Sequence, residues 1–109
     1  MKSIQLASYY LDDVIKYIGY TYGNKIRKVW TCEGSTVGVF VHEEYVFRTN
    51  SYQTLTTIVE GGQNMGSFTL TVIGSGGGGG IFNISWGSQS AGENTIIKNV
   101  QKMLDKIGQ

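Results

Sequence analysis

The apolar residues of this chain change their spacing twice, and this change constrains its fold more than any other feature. Two segments, one near each end, carry apolar residues three and four positions apart, the spacing of one helix face. These residues are Leu11, Val14, Ile15 and Ile18 in the first segment and Ile97, Val100, Leu104 and Ile107 in the last. Between them, β-branched and aromatic residues alternate with polar ones and are interrupted by glycine and asparagine turns, which is typical of strands.

These spacings predict an α+β fold with one helix over residues 8–22 and another over residues 90–107. The spacing of Ser90 and Glu93 is that of a capping box at the start of the second helix. Strands are predicted over the first residues and over 25–47 (a hairpin), 52–60, 66–73 and 81–86. We expect two layers, a meandering antiparallel sheet of about five strands with the N-terminal and C-terminal amphipathic helices on one face. A chain of 109 residues is expected to form a single domain, 1–109.

The first hairpin decides which side chains are expected to share a face of the sheet. With Gly34 and Ser35 as a two-residue turn, Trp30 pairs with Val39. One face of the hairpin then carries Trp30, Cys32, Val37, Val39 and Val41. Lys28 falls on the same face, which suits it only near an edge. The expected core comprises Leu11, Val14, Ile15, Ile18, Val39, Leu70, Val72, Ile84, Val100 and Leu104.

The residue types that most often carry catalysis or bind metals are sparse. His42 is the only histidine and Cys32 the only cysteine, and this hairpin register places them too far apart to share an ion or form a nucleophilic pair. We expect Cys32 to be a small buried apolar residue and His42, beside Glu43 and Glu44, to be a solvated strand end. No carboxylate pair is positioned for acid–base chemistry. We therefore expect no catalytic residue, no metal, no cofactor and no enzymatic activity.

A glycine run follows the strand at residues 66–73. Its spacing formally matches a dinucleotide-binding motif, but a strand rather than a helix is predicted directly after it, so that site is not expected. Two interpretations stay open, a mobile hairpin tip and a flap that folds over a ligand. The candidate binding residues of this run are Gly76, Gly77, Gly78, Gly79 and Gly80.

Basic and aromatic residues near the end of the first helix form a second candidate binding region. Lys25, Arg27 and Lys28 lie close in sequence to several tyrosines, an arrangement that can bind phosphates and stack on bases. The formal net charge is only +1, so an ordinary solvated surface is favoured and nucleic acid is not the expected partner. Tyr17 belongs to a tyrosine-rich helix surface that forms an exposed patch or lines a groove between helix and sheet.

The chain is expected to be cytoplasmic and not membrane-bound, because no apolar run approaches the length of a membrane span and the single cysteine allows no internal disulfide. The short strand, first helix, meander, glycine-rich turn before residues 81–87 and closing helix together resemble a family of small bacterial proteins catalogued only as a domain of unknown function. The resemblance implies a bacterial origin and a small fold, and it supplies no activity and no site residues.

Three functional hypotheses follow from the sequence. The leading one is a non-catalytic binding or protein-interaction module, including a homo-oligomer formed through a sheet edge or the tyrosine-rich surface. The first alternative is a weak nucleic-acid binder that uses Lys25, Arg27 and Lys28. The second is a small-molecule carrier with a pocket between the helices and the sheet.

Overall fold

A computed structural model describes residues 1–46, 51–62, 66–76 and 88–107. In chain order the elements are β1 (Lys2–Ala7), a 3₁₀ turn (Ser8–Tyr10), α1 (Leu11–Thr21), β2 (Ile26–Cys32), β3 (Ser35–Val46), β4 (Ser51–Gly62), β5 (Ser67–Gly76) and α2 (Ser88–Ile107). The predicted helix over residues 8–22 therefore begins as a 3₁₀ turn and becomes α-helical at Leu11. The predicted strand over residues 81–86 lies outside the described residues.

The sheet has five strands in the order β1-β5-β4-β3-β2, and every neighbouring pair is antiparallel. The predicted α+β class with a meandering antiparallel sheet is confirmed. β1 and β2 form opposite edges. The segment that contains α1 therefore crosses the whole width of the sheet between them.

The turn between β2 and β3 differs from its prediction by one residue. Glu33 and Gly34 occupy the turn with φ values of 51° and 84°, so Trp30 pairs with Val37 rather than with Val39. These values are those of a type I′ hairpin turn, whose twist matches the strands and which has positive φ at both central positions; glycine adopts this at the second position without strain. The predicted Gly34-Ser35 turn is wrong. The observed register differs from the predicted one by two residues, so each side chain of the hairpin still lies on the face predicted for it.

Buried side chains from α1, from α2 and from one face of the sheet form a single core. Its members are Leu11, Val14, Ile18, Tyr22, Phe40, Leu55, Val59, Phe68, Leu70, Val72, Ile96, Val100 and Leu104. The strand residues among them share one face, the core face. Of the predicted core, Ile15 packs at the margin and Ile84 lies outside the described residues.

Val39, predicted to belong to the core, does not face it. It lies half-buried on the opposite face, the open face, because the other row of β3 faces the core. That row contains Gly38 and Phe40, and a Cβ at Gly38 would lie 2.9 Å from Cε2 of Phe40. Because Gly38 has no side chain, the ring of Phe40 has room to lie over the strand. Cys32, predicted to be buried, is exposed at the edge of the sheet.

Glu93 joins α2 to the end of β5. The helix begins at Ser88, so Glu93 stands in its second turn and the predicted capping box with Ser90 is wrong. Its side chain is buried and accepts a hydrogen bond from the N–H of Gly74 at 2.8 Å. The amino nitrogen of Met1 lies 3.0 Å from the same carboxylate oxygen. The charge of Glu93 is thus balanced inside the fold.

Candidate ligand-binding groove between the helices

Two concavities, of about 670 Å³ and 460 Å³, share Tyr17 of α1 and Met103 of α2 in their walls. Together they form a groove between the helices, hereafter the interhelical groove. Tyr17 and Met103 are both partly buried against the core, which makes them its apolar floor. Their volumes fall in the range of small-molecule sites, which are mostly apolar and carry a few polar groups, although this groove is open to solvent along its length.

Arg27 of β2 reaches this groove along the end of α1. Its Nη1 donates a hydrogen bond to the carbonyl oxygen of Gly19 at 3.4 Å. A Cβ at Gly23 would lie 2.5 Å from Cγ of Arg27, so glycine leaves the space that the arginine stem fills. The carboxyl end of a helix carries partial negative charge, which favours a guanidinium there. Arg27 is therefore oriented by the helix end while its charged group stays exposed.

A hydrogen-bonded and aromatic network fixes the floor from below. The rings of Tyr17 and Tyr22 meet edge to face with centroids 6.2 Å apart. Nδ2 of Asn99, on α2, donates a hydrogen bond to Oη of Tyr22 at 2.8 Å. Burial, and then the neighbouring phenol of Tyr22, raise the pKa of Tyr17 above its ordinary value. The phenol of Tyr17 therefore stays neutral to a higher pH than an ordinary tyrosine, and its hydroxyl can both donate and accept a hydrogen bond.

His42 continues the network onto the sheet. Its ring meets that of Tyr22 edge to face at 5.7 Å, and its Nε2 lies 3.9 Å from Oε2 of Glu44. Oε1 of Glu44 accepts a hydrogen bond from Nε2 of Gln53. The prediction that His42 is a solvated strand end is wrong, because its side chain is only 17% exposed. His42 belongs to the row of β3 that faces the core, and its edge-to-face contact with Tyr22 shields its ring from water.

The rim of the interhelical groove has a positive balance. Its cations are Lys16, Arg27, Lys102 and Lys106, and its carboxylates are Asp13 and Asp105. This local excess contrasts with the nearly balanced charge of the whole chain, +1. The positive rim would thus attract an anionic group that is attached to an apolar body lying on the floor. Within the described residues, no three histidine, cysteine or acidic side chains are grouped as metal ligands.

Comparison with known proteins places the chain in one family. The sequence model of that family, described only as a family of unknown function, matches residues 3–108. The chain belongs to the DUF6054 family. The match covers every described strand and helix of this fold except Lys2, the first residue of β1. No curated protein and no solved structure matches the chain. In the described part of this DUF6054 member, none of the helices combines the length and apolarity needed to cross a bilayer.

The structure separates the predicted basic cluster. Arg27 and Lys28 are neighbours in β2, so their side chains point to opposite faces of the sheet, and only Arg27 lines the groove. Lys25 precedes the strand, where its backbone N–H bonds to the carbonyl of Val41 at 2.9 Å. The three cations therefore do not form one patch. Of the predicted glycines, Gly76 ends β5 opposite Gln53, while Gly77, Gly78, Gly79 and Gly80 lie outside the described residues.

Sequence reasoning identified Tyr17 and Arg27 but missed Asn99 and Met103. These two residues are four positions apart, and so lie on one side of α2 beside its buried stripe. Their spacing was a signal for a shared face. Only the approach of α1 and α2 makes that face part of a groove.

Proposed function

We propose that this protein is a non-catalytic binding module and that its ligand site is the interhelical groove. The ligand is a small amphipathic anion, with a carboxylate or sulfonate group on an apolar body. Tyr17 and Met103 contact the apolar body, and Arg27 pairs with the anionic group. This assignment combines the binding-module and small-molecule-carrier hypotheses.

The orientation of Arg27 beside an apolar floor is the observation that carries this proposal. A guanidinium forms two parallel hydrogen bonds with a carboxylate or a similar oxyanion, and such charge-assisted bonds are strong. The contact of its stem with Gly19 and Gly23 limits the freedom that Arg27 would lose on binding. Lys16 adds positive charge at the same concavity.

Nucleic-acid binding is less well supported by this arrangement. A phosphate chain needs a row of cations on one continuous surface, and Arg27 and Lys28 belong to opposite faces. Binding through phosphates would weaken steeply with salt. Titration of single-stranded RNA at low salt tests this alternative, and absence of binding there removes it.

Fluorescence titration with anilinonaphthalene sulfonate, an aromatic anion, tests the groove directly. We expect Arg27→Gln to weaken binding by about tenfold or more, because it removes the paired charge. Met103→Glu places a negative charge in the floor and should abolish binding. Lys98→Gln is the matched control, since Lys98 is exposed on α2 outside both concavities. Equal affinities of Arg27→Gln, Lys98→Gln and the unaltered protein would contradict the proposal.

The open face of the sheet favours a second role, contact with a protein partner or with another copy. Trp30, exposed by 52%, lies there beside Val37. Tryptophan is enriched in the buried centres of protein interfaces.

We also propose a cytoplasmic location. Cys32 is the single cysteine of the chain and is exposed, and a free exposed thiol suits a reducing compartment.

A further inference from the structure

An apolar patch occupies the open face of the sheet, on the side away from the core. The open-face patch consists of Ile26, Trp30, Val37, Val39, Val41 and Ile58. Ile26, Trp30 and Val37 are exposed, and the remaining three are half-buried. Contiguous exposed apolar surface of this kind on a sheet marks an interaction site.

Two opposite charges flank this patch symmetrically. Lys28 on β2 pairs with Val39, and Glu60 on β4 pairs with Val37. The two side chains thus lie on either side of β3, roughly 10 Å apart across the sheet. Both are exposed, and neither forms an ion pair with another residue in the part of the chain described here. The midpoint between them falls on β3 between Val37 and Val39.

We infer that the open-face patch binds a second copy of this chain, face to face about a two-fold axis. An axis that lies between the two sheets, passes over this midpoint and runs perpendicular to the line from Lys28 to Glu60 places Lys28 of each copy opposite Glu60 of the other. Two-fold contacts are reciprocal, so the pair forms twice around a shared apolar centre. A surface that carries both charges at equal distances from its centre is complementary to itself. This inference rests on the second role proposed above, and is independent of ligand binding in the groove.

The face is close in area to one side of a standard interface. Its five strands contain 6 to 12 residues each, which gives a sheet of roughly 750 Å² at about 3.3 Å per residue and about 4.8 Å between strands. A standard interface covers about 800 Å² on each partner, so such a dimer uses the whole face. The net charge of +1 adds little repulsion between copies.

Sedimentation equilibrium of five proteins tests the inference. We expect the unaltered protein to dimerise at concentrations below about 1 mM. Lys28→Glu and Glu60→Lys should each weaken dimerisation by about tenfold or more, because each places like charges opposite one another twice. The double variant restores opposite charges and should dimerise as the unaltered protein does. Lys25→Glu, exposed but off the patch, is the control and should leave dimerisation unchanged.

Each outcome decides the inference. A protein that stays monomeric at about 1 mM, or single variants that dimerise normally, would overturn it. Weakened single variants without recovery in the double variant would overturn the Lys28–Glu60 pairing. Circular dichroism of each variant separates lost dimerisation from lost folding. Sulfonate titration of the same samples reports the groove separately, so failure of one proposal leaves the other measurable.

Discussion

Arg27 lies against the end of α1 because Gly19 and Gly23 leave room for its stem. We expect Gly23→Ala to displace it, since the new Cβ would lie 2.5 Å from Cγ of Arg27 and 2.9 Å from the carbonyl oxygen of Gly19. Overpacking of this kind costs about 1–3 kcal/mol of unfolding free energy. Anion affinity should fall with it. Urea denaturation and sulfonate titration measure the two effects.

Gly66→Ala is the matched control for this change. A Cβ at Gly66 meets no atom within 4 Å, so stability and affinity should be retained. If Gly23→Ala behaved like Gly66→Ala in both measurements, the account of how Arg27 is held would be wrong.

The raised pKa of Tyr17 should make the stability of the protein depend on pH in the alkaline range. Its pKa in the folded protein is raised, first by burial and then by Tyr22. A group with a raised folded pKa contributes stability that is fully present below its unfolded value of 10.0 and is lost as pH rises through the folded pKa. We expect phenolate absorbance to contain a component from Tyr17 that appears above the ordinary pH range of tyrosine, and Tyr17→Phe to remove that component. If Tyr17→Phe retained this component, the assignment to Tyr17 would be wrong.

At the scale of elements, Glu93 holds α2 to the end of β5. We expect Glu93→Gln to lower the unfolding free energy by about 1.5–3 kcal/mol, because it removes the charge that the Gly74 N–H and the Met1 amino group face. Glu60→Gln, an exposed carboxylate on β4, is the control and should change stability by less than about 0.5 kcal/mol at concentrations where the protein is monomeric. Similar losses in both variants would show that Glu93 has no special part in docking α2.

The apolar faces of the two helices can be tested separately. Leu11 on α1 and Leu104 on α2 are 6% and 8% exposed. Leu11→Ala and Leu104→Ala should each cost on the order of 2–5 kcal/mol in denaturant unfolding. A loss below about 0.5 kcal/mol at either position is what a solvated leucine would give, and it would mean that this helix does not pack on the core.

The sequence predicted the elements well where one apolar row stood alone, as in α1 and around Leu70 and Val72. It failed on β3, where both rows contain apolar or small residues between Val37 and Val41. Val37, Val39 and Val41 alternate perfectly, yet the row with Gly38 and Phe40 faces the core. Alternation fixes which residues share a face and leaves open which face is covered. The groove could be predicted only in part. Met103 and Tyr17 belong to different helices, and the spacing of residues within each helix does not show which faces come together.

At the scale of the whole molecule, the two proposed surfaces lie on different parts of the fold. The interhelical groove is built by α1, α2 and Arg27, whereas the open-face patch lies on the other side of the sheet from the core. A ligand in the groove therefore leaves the patch free for a second copy. This separation allows one experiment to locate binding without ambiguity.

That experiment is a titration of isotopically labelled protein with anilinonaphthalene sulfonate, followed residue by residue through backbone amide NMR shifts. We expect the largest shifts to cluster at Tyr17, Gly19 and Met103, and Arg27→Gln to suppress them. Shifts concentrated instead at Val37 and Val39, or unchanged by Arg27→Gln, would contradict the assignment of the interhelical groove as the ligand site.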